Sequence, residues 1–465
     1  MWLLIYIMNT MKRLFILSVA FACSLGGVSL AAAQSAAPAA AQSTEARLAT
    51  VLQTMVRNNS DDFYDAAALV YDASGNMLSF VTMMTAAAEQ GNPAAQLWLS
   101  RYLRMTAATE PAGMSRARTL LEQAAGKKYV PAMVEYAGLV YEQASSEQEA
   151  RPGRQVLMDA CRAGSAKARA LYLMVSGRMQ NASLTAPEVA SELRRKNFYL
   201  EEMIASAQQE PSSFVMWMER ASEHGSSFAP YALCRYVAAD KVDACLKLAA
   251  ERHLPAALGH MGTGIVRTEA ARMEQYDAQK AAEGLRMLHI AAMLCEPAAV
   301  SSLASFLAEG YGATMDKELV HGLFLLAHRC GDPNGTAGLG YCMVLGAGCS
   351  RDVPKGLEYL AAARTKGSQW VNQALASIYY NGDGVPADLN KAINALTEDY
   401  ANGSRHAYVV MAAITAMGNS SAAGDERRAR LFLDMAISDG NLQAEAFYDF
   451  IVQRGKWRFL EELAE

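Results

Sequence analysis

A chain of 465 residues is longer than one compact core usually holds, unless it is a repeat array in which each unit packs only on its neighbours. A formal net charge of −5 advertises no strong basic surface, which argues against nucleic acid and anionic membrane as partners. Abundant alanine and leucine with few strand-like runs favour an all-α chain.

The first 33 residues read as a signal peptide. Lys12 and Arg13 precede an apolar run from Leu14 to Leu30, and Ala31-Ala32-Ala33 precedes Gln34, which predicts cleavage after Ala33. The ten residues before Met11 carry no charge, so Met11 is the expected true start. An uncleaved anchor is one alternative. A lipid on Cys23 is another, and bulky Phe21 suits it poorly. No later stretch approaches the ~20 apolar residues a membrane span requires. The expected location is therefore periplasmic or secreted.

Residues 34–43 are an Ala/Ser/Gln/Pro linker. Residues 44–85 read as N-terminal capping helices. The first carries Leu48, Val51, Leu52, Met55 and Val56 at helical spacing and stops at Asn58-Asn59-Ser60; the second runs through Leu69 and Val70 to Gly75. From residue 86 to 440 one junction recurs: a helix end, a break and a new helix. Its first copy is Ala86-Ala87-Ala88-Glu89-Gln90-Gly91-Asn92-Pro93. Gly91 suits a left-handed cap, and Pro93 suits a first turn whose missing N–H costs nothing. Related breaks follow at Gly126, Gly164, Gly225, Pro255, Pro297, Gly331, Gly367, Gly403 and Gly440, the last four stepping by 36, 36 and 37 residues. The 61 residues between Gly164 and Gly225 hold a degenerate or inserted segment at 179–224, with a helix expected from Glu188 to Gln209. Residues 441–465 read as C-terminal caps.

The other turn of each unit is clearest from Ile378 to Leu396. Gly382, Gly384 and Asp388 stand 36 residues after Gly346, Gly348 and Asp352, which stand 36 after Gly310, Gly312 and Asp316. The aspartates are expected to cap the second helix of each unit, accepting from free N–H groups there. Leu303, Leu339 and Leu375 share the same step, each followed by Ala or Gly, so that two helices can approach closely. The count is about nine or ten helix-turn-helix repeats of ~36 residues, stacked as a superhelix.

These junctions, the turn Tyr-x-Asn-Gly-x-Gly-Val-Pro-x-Asp at Tyr379–Asp388 and the Lys-Ala-Ile after it resemble the Sel-one-like repeat family, relatives of the tetratricopeptide repeats with a slightly longer period. The resemblance is closest from Cys295 to Gly440, weaker from Ala86 to Leu173 and faint between Met179 and Arg286. It implies a right-handed α/α superhelix, a solenoid whose concave face, built largely from the first helix of each unit, binds a protein or peptide. It also implies an exported scaffold of envelope assembly or signalling, or a secreted host-interaction factor. Some cysteine-rich members are linked to β-lactam binding or hydrolysis and carry a disulfide in each unit. The cysteines here do not repeat with the period. That departure counts against the linked activity, and a β-lactamase-like or cell-wall-fragment-binding protein is the alternative the resemblance implies.

Seven cysteines follow the leader, and an oxidising compartment permits disulfides. Cys234 and Cys245 fall on consecutive helices across the Ala238–Lys241 turn, and Cys330 is a candidate partner for Cys342 or Cys349. The competing reading is buried free thiols acting as small apolar groups. No G-x-S-x-G, S-x-x-K, H-E-x-x-H or P-loop occurs, so no catalytic, cofactor-binding or metal residue is nominated. His321 and His328 lie seven apart on one helix and read as half-buried structural residues. His253 and His260 have the same spacing, but a helix start lies between them. Taking Val371, Leu375 and Ile378 as the buried stripe of their helix leaves Asn372 and Tyr380 more exposed, with Tyr408 in the place of Asn372 one unit on. These three are the expected partner-binding positions.

Overall fold

The computed structural model describes residues 43–75, 77–106, 111–178, 186–271, 277–311, 316–401, 404, 407–440 and 444. The leader, nearly all of the linker and all but residue 444 of the C-terminal caps lie outside the described residues, as do 179–185 of the segment 179–224.

The described residues are all-α apart from one two-residue pairing. The chain begins with α1 (Thr44–Asn58), α2 (Tyr64–Ser74), α3 (Met77–Glu89), α4 (Pro93–Thr106), α5 (Pro111–Gly126), α6 (Val130–Gln143), α7 (Glu147–Arg162) and α8 (Ala166–Val175). Next come α9 (Pro187–Arg194), α10 (Phe198–Ser206), α11 (Pro211–Glu223), α12 (Phe228–Leu233), α13 (Ala239–Glu251), α14 (Pro255–Ala271) and α15 (Ala278–Met293). Then follow α16 (Pro297–Ala308), α17 (Lys317–Arg329), α18 (Pro333–Leu345), α19 (Val353–Thr365), α20 (Val371–Asn381), α21 (Leu389–Ala401), α22 (Ala407–Met417) and α23 (Glu426–Ser438). Between α22 and α23, β1 (Gly418–Asn419) pairs antiparallel with β2 (Ala422–Ala423). Among the described residues the helices after α1 alternate as eleven first-and-second pairs.

The repeat signals on described residues act as the spacing predicts, while Gly312 and Gly403 lie outside the described residues. Gly346 and Gly382 end α18 and α20 at φ 70° and 78°, in the left-handed region glycine enters freely. Asp316, Asp352 and Asp388 cap the second helices: their carboxylates accept from Leu319 N at 3.1 Å, Lys355 N at 3.1 Å and Lys391 N at 2.9 Å. Leu303 and Leu339 are buried and Leu375 half-buried. Beside Leu339, Gly340 lets α18 meet α19 at Gly356; a Cβ on Gly340 would sit 2.7 Å from the Gly356 carbonyl oxygen.

One expectation is corrected. The single helix from Glu188 to Gln209 is two, α9 and α10. Lys196 turns to φ 58°, and Asn197 restarts the helix by accepting from Leu200 N at 3.4 Å. The long gap therefore keeps the alternation, with short helices in place of an insertion.

The chain falls into two compact units. The first runs from the N-terminal helices to Gly264 and includes Glu283–Ala299; the second holds Ile265–Ala282 and the chain from Val300 onward. In the first unit the array turns back on itself. Arg286 on α15 donates to both carboxylate oxygens of Asp72 on α2, at 3.0 and 3.2 Å, and Trp98 Nε1 on α4 donates to the Met293 carbonyl at 2.8 Å. Trp98 is buried against Phe80 and Tyr102 at the centre of this closure. In the second unit, Tyr341 on α18 meets Ser377 on α20 at 2.8 Å, one repeat later, and ties consecutive first helices together.

Candidate functional site

The second unit is where the sequence places partner-binding residues, and there the structure overturns the expectation of exposure. Asn372, Tyr380 and Tyr408 are 7%, 8% and 8% exposed. Asn372 Oδ1 accepts from Arg364 Nη2 at 2.9 Å, and Tyr380 OH donates to the Gly418 carbonyl at 2.7 Å. The Tyr408 ring lies 4.2 Å from Tyr400 and 6.2 Å from Phe432. Tyr380 and Tyr408 belong to one apolar cluster with Ala376, Leu396 and Leu433; Asn372 lies outside it. The reason is the small side chains around the first helices. Alanine and glycine neighbours cover these helices on several faces, so α18 is buried continuously from Gly335 to Cys342 and α22 from Ala407 to Thr415. A one-stripe reading underestimates such burial.

The candidate disulfides are also corrected. The seven described cysteines are free thiols. Cys234 and Cys245 are neighbours, but the Cys234 thiol points at the Pro230 and Val242 carbonyls, at 3.5 and 3.9 Å. Cys330 caps α17, whereas Cys342 lies nine residues beyond the start of α18, roughly 13 Å along that helix. A disulfide needs Cα atoms within about 7 Å. Burial pushes both thiols up, to about 12. His328 is a structural residue, its Nδ1 3.0 Å from Thr336 Oγ1 and its ring edge-on to Tyr359. His321 is half-buried, as its register implies, and His253 and His260 part company: His260 is exposed, while His253 stacks on Tyr64.

The open face lies in the first unit. Here the first helices α4, α6, α8 and α10 lie side by side, and they leave half-exposed Arg101, Tyr102 and Arg104 on α4, Glu135 on α6, Lys167 on α8, and Tyr199 and Glu202 on α10. A charge network joins them. Arg101 Nε donates to Glu135 Oε1 at 2.7 Å and Arg101 Nη2 to Asp61 Oδ2 at 2.8 Å. Arg104 Nη1 stands 3.6 Å from Glu135 Oε2, and Lys167 Nζ stands 3.8 Å from Asp61 and 6.0 Å from the centre of the Tyr199 ring. The Glu202 carboxylate accepts from Ser226, and its neighbour Glu201, fully buried, pairs with Arg220 Nε at 2.7 Å and His224 Nδ1 at 2.8 Å.

Electrostatics follow from this arrangement. Burial pushes the Asp61 carboxyl up, but Arg101 and Lys167 outweigh it and hold the group below its ordinary value. Burial, with Asp61 and Glu202 nearby, raises the Tyr199 phenol to about 12, so it remains a donor at neutral pH. Burial also raises Glu202, against the hydrogen bond from Ser226. The face thus offers an ammonium group, a guanidinium pair, carboxylates and phenol rings in one patch.

These residues were not nominated from sequence. Glu135 did carry a signal, standing alone as a carboxylate in the apolar run Val-Pro-Ala-Met-Val-Glu-Tyr-Ala-Gly-Leu-Val. Asp61 carried none, since its partners lie 40 and 106 residues away.

No family model matches the chain, and no curated protein matches it. Among solved structures, the chain is similar to a Sel1 repeat protein from Oxalobacter formigenes at 20% identity, over 75% of this chain and 93% of that one, with a TM-score of 0.30. It is also similar to c5321, a protective antigen present in uropathogenic Escherichia coli strains displaying an SLR fold, at 19% identity, over 82% of this chain and 76% of that one, with a TM-score of 0.32. What stands on the chain's own geometry is an all-α array of stacked helix pairs, with its open polar face on the first helices of the first unit.

Proposed function

We propose that the chain is a non-enzymatic binding scaffold, exported and active in the envelope or outside the cell, that takes a polypeptide partner on the face formed by α4, α6, α8 and α10. One observation carries this reading. In the second unit α18 is buried from Gly335 to Cys342 and α22 from Ala407 to Thr415, whereas adjacent first helices of the first unit present Lys167, Tyr199, Tyr102 and Arg104 half-exposed. Phenol and guanidinium groups on a rigid helical layer give large contact area at little conformational cost, as binding hot spots require. The polar, partly charged lining suits a reversible contact with a hydrated surface rather than a permanent apolar interface.

The test is site-specific photocrosslinking in the native cell. A photoreactive phenylalanine analogue replaces Tyr199, or Leu431 on α23 as the control, a residue that is 59% exposed. A discrete adduct from position 199 that is lost in the Lys167→Glu background supports the reading. Adducts from position 431 only, or from neither position, refute it.

A further inference from the structure

The connection between α1 and α2 is six residues long, Asn59-Ser60-Asp61-Asp62-Phe63-Tyr64 if the first residue of α2 is included. A link between adjacent helices ordinarily touches those two helices and water. This one reaches far beyond them. Asn59 Oδ1 accepts from Val130 N at 3.2 Å, and the Ser60 carbonyl accepts from Tyr129 OH. Asp61 pairs with Arg101 at 2.8 Å and with Lys167 at 3.8 Å, and its carbonyl accepts from Arg101 Nη1 at 3.5 Å. Asp62 Oδ2 lies 2.7 Å from His253 Nδ1. Phe63 is buried with the Arg101 guanidinium 5.6 Å from its ring centre, and Tyr64 stacks on His253 at 3.9 Å and 6°.

The segment therefore lies along the candidate face and touches α4, the start of α6, α8 and the turn before α14, all within the first unit. Every group that receives it is a cation, an imidazole or a donor: Arg101, Lys167, His253, the Tyr129 hydroxyl and the Val130 N–H. The segment brings carbonyl oxygens, two adjacent carboxylates and two aromatic rings. Its carboxylates are 38% and 51% exposed, so they can leave their partners while Phe63 stays in the core. With both withdrawn, Arg101, Arg104 and Lys167 would be left with Glu135 and Glu202, an excess of positive charge.

We infer that the acidic stretch Ser60–Asp62 is an internal occupant of the binding face, and that the partner is an extended acidic polypeptide segment whose carboxylates displace those of Asp61 and Asp62. The inference rests on the scaffold reading and names the partner's chemistry. A tethered occupant competes at a high effective concentration, so it masks the face until a better-matched segment arrives. It also sets a specificity filter, since a neutral or basic segment would leave Lys167 without its carboxylate and Arg101 with Glu135 alone.

The probe is a fluorescein-labelled peptide of sequence Asn-Ser-Asp-Asp-Phe-Tyr, with Asn-Ser-Asn-Asn-Phe-Tyr as control, titrated with the full chain and followed by anisotropy. The double variant Asp61→Asn/Asp62→Asn should bind the acidic probe at least about tenfold more tightly than the wild type, because the internal competitor is weakened. Adding Lys167→Glu should remove that gain, and the control peptide should bind none of the proteins. A double variant with unchanged circular dichroism and no gain overturns the inference. If the variant does not fold, hydrogen exchange on the wild type decides: excess acidic probe should speed exchange of the amides of 60–64, and no change overturns the inference. Crosslinks from position 199 together with failure of the peptide would leave the scaffold reading standing and remove only this one.

Discussion

His289 stands inside the first unit with its ring 5.0 Å from Tyr71, and its Nδ1 has no hydrogen-bond partner among the described residues. Burial alone depresses it, to about 4 from an ordinary value of 6.5. The folded pKa is the lower one, so as pH falls the unfolded chain takes up the proton first. The stability that neutral His289 confers is therefore intact above about pH 6.5 and drains away as pH falls toward 4, on the order of 3 kcal/mol in all. Asp61 acts in the same direction but later. Its carboxyl is held below the ordinary value by Arg101 and Lys167 against the pull of burial, so its contribution goes only below about pH 4. The two windows separate the two groups. Urea unfolding at pH 7 and pH 4.5 should show a clear loss of stability for the wild type and a smaller loss for His289→Phe, which keeps the ring and cannot be protonated. Equal losses in the two proteins would show that His289 does not carry the acid sensitivity.

Helices and turns obey local rules here, which is why so many were legible. A left-handed glycine and an aspartate cap are short-range devices, and both turned up where the 36-residue step put them. The second glycine of the turn adds a long-range constraint. Gly348 lies at φ 71°, and a Cβ there would stand 2.0 Å from the Lys317 carbonyl oxygen at the start of α17; a Cβ on Gly384, one repeat on, would stand 2.4 Å from a side-chain methyl of Val353 at the start of α19. That pair of contacts sets how closely one unit seats on the one before. Gly348→Ala should cost about 1–2 kcal/mol for the left-handed backbone and roughly as much again for overpacking, about 3 kcal/mol in total. Gly367 is the control, with φ 79° and open space around it, so Gly367→Ala should cost only the first part, about 1 kcal/mol. Denaturant unfolding of both variants measures the difference, and equal losses would mean that the seat between units is not tight. What the local rules did not deliver was burial. One helical stripe does not account for Asn372, Tyr380 and Tyr408, which are buried on the other faces of their helices. The break at Lys196 was missed for a related reason: a lysine at φ 58° has no sequence signature, and only Asn197 after it hinted at a cap.

At the scale of the whole chain, a repeat array is expected to behave as a sum of nearest-neighbour terms, with a disturbance fading after one or two units. The first unit departs from that rule because its early helices meet its late ones. Trp98 and Met293 are 195 residues apart, Asp72 and Arg286 are 214 apart, and Asp62 and His253 are 191 apart. The 36-residue period cannot reveal this, since it specifies which helix follows which and leaves open how far the array turns before its ends touch. The candidate face was hidden for the same reason: Asp61 finds Arg101 and Lys167 only after the chain has coiled. The closure makes a prediction that an open array would not. Trp98→Phe keeps an apolar ring in place and removes the indole N–H that reaches the Met293 carbonyl, at a cost of about 1–2 kcal/mol. Ser100→Ala, two residues on, removes a bond to the Ala117 carbonyl at 2.9 Å that stays between α4 and α5. Hydrogen exchange should therefore quicken at the amides of Leu294, Cys295 and Glu296 in Trp98→Phe, where the end of α15 is held, and stay at the wild-type rate there in Ser100→Ala. Protection at these amides that is indifferent to Trp98 would mean that the two ends of the unit fold independently, and stability in this chain would then be transmitted only from each helix pair to the next.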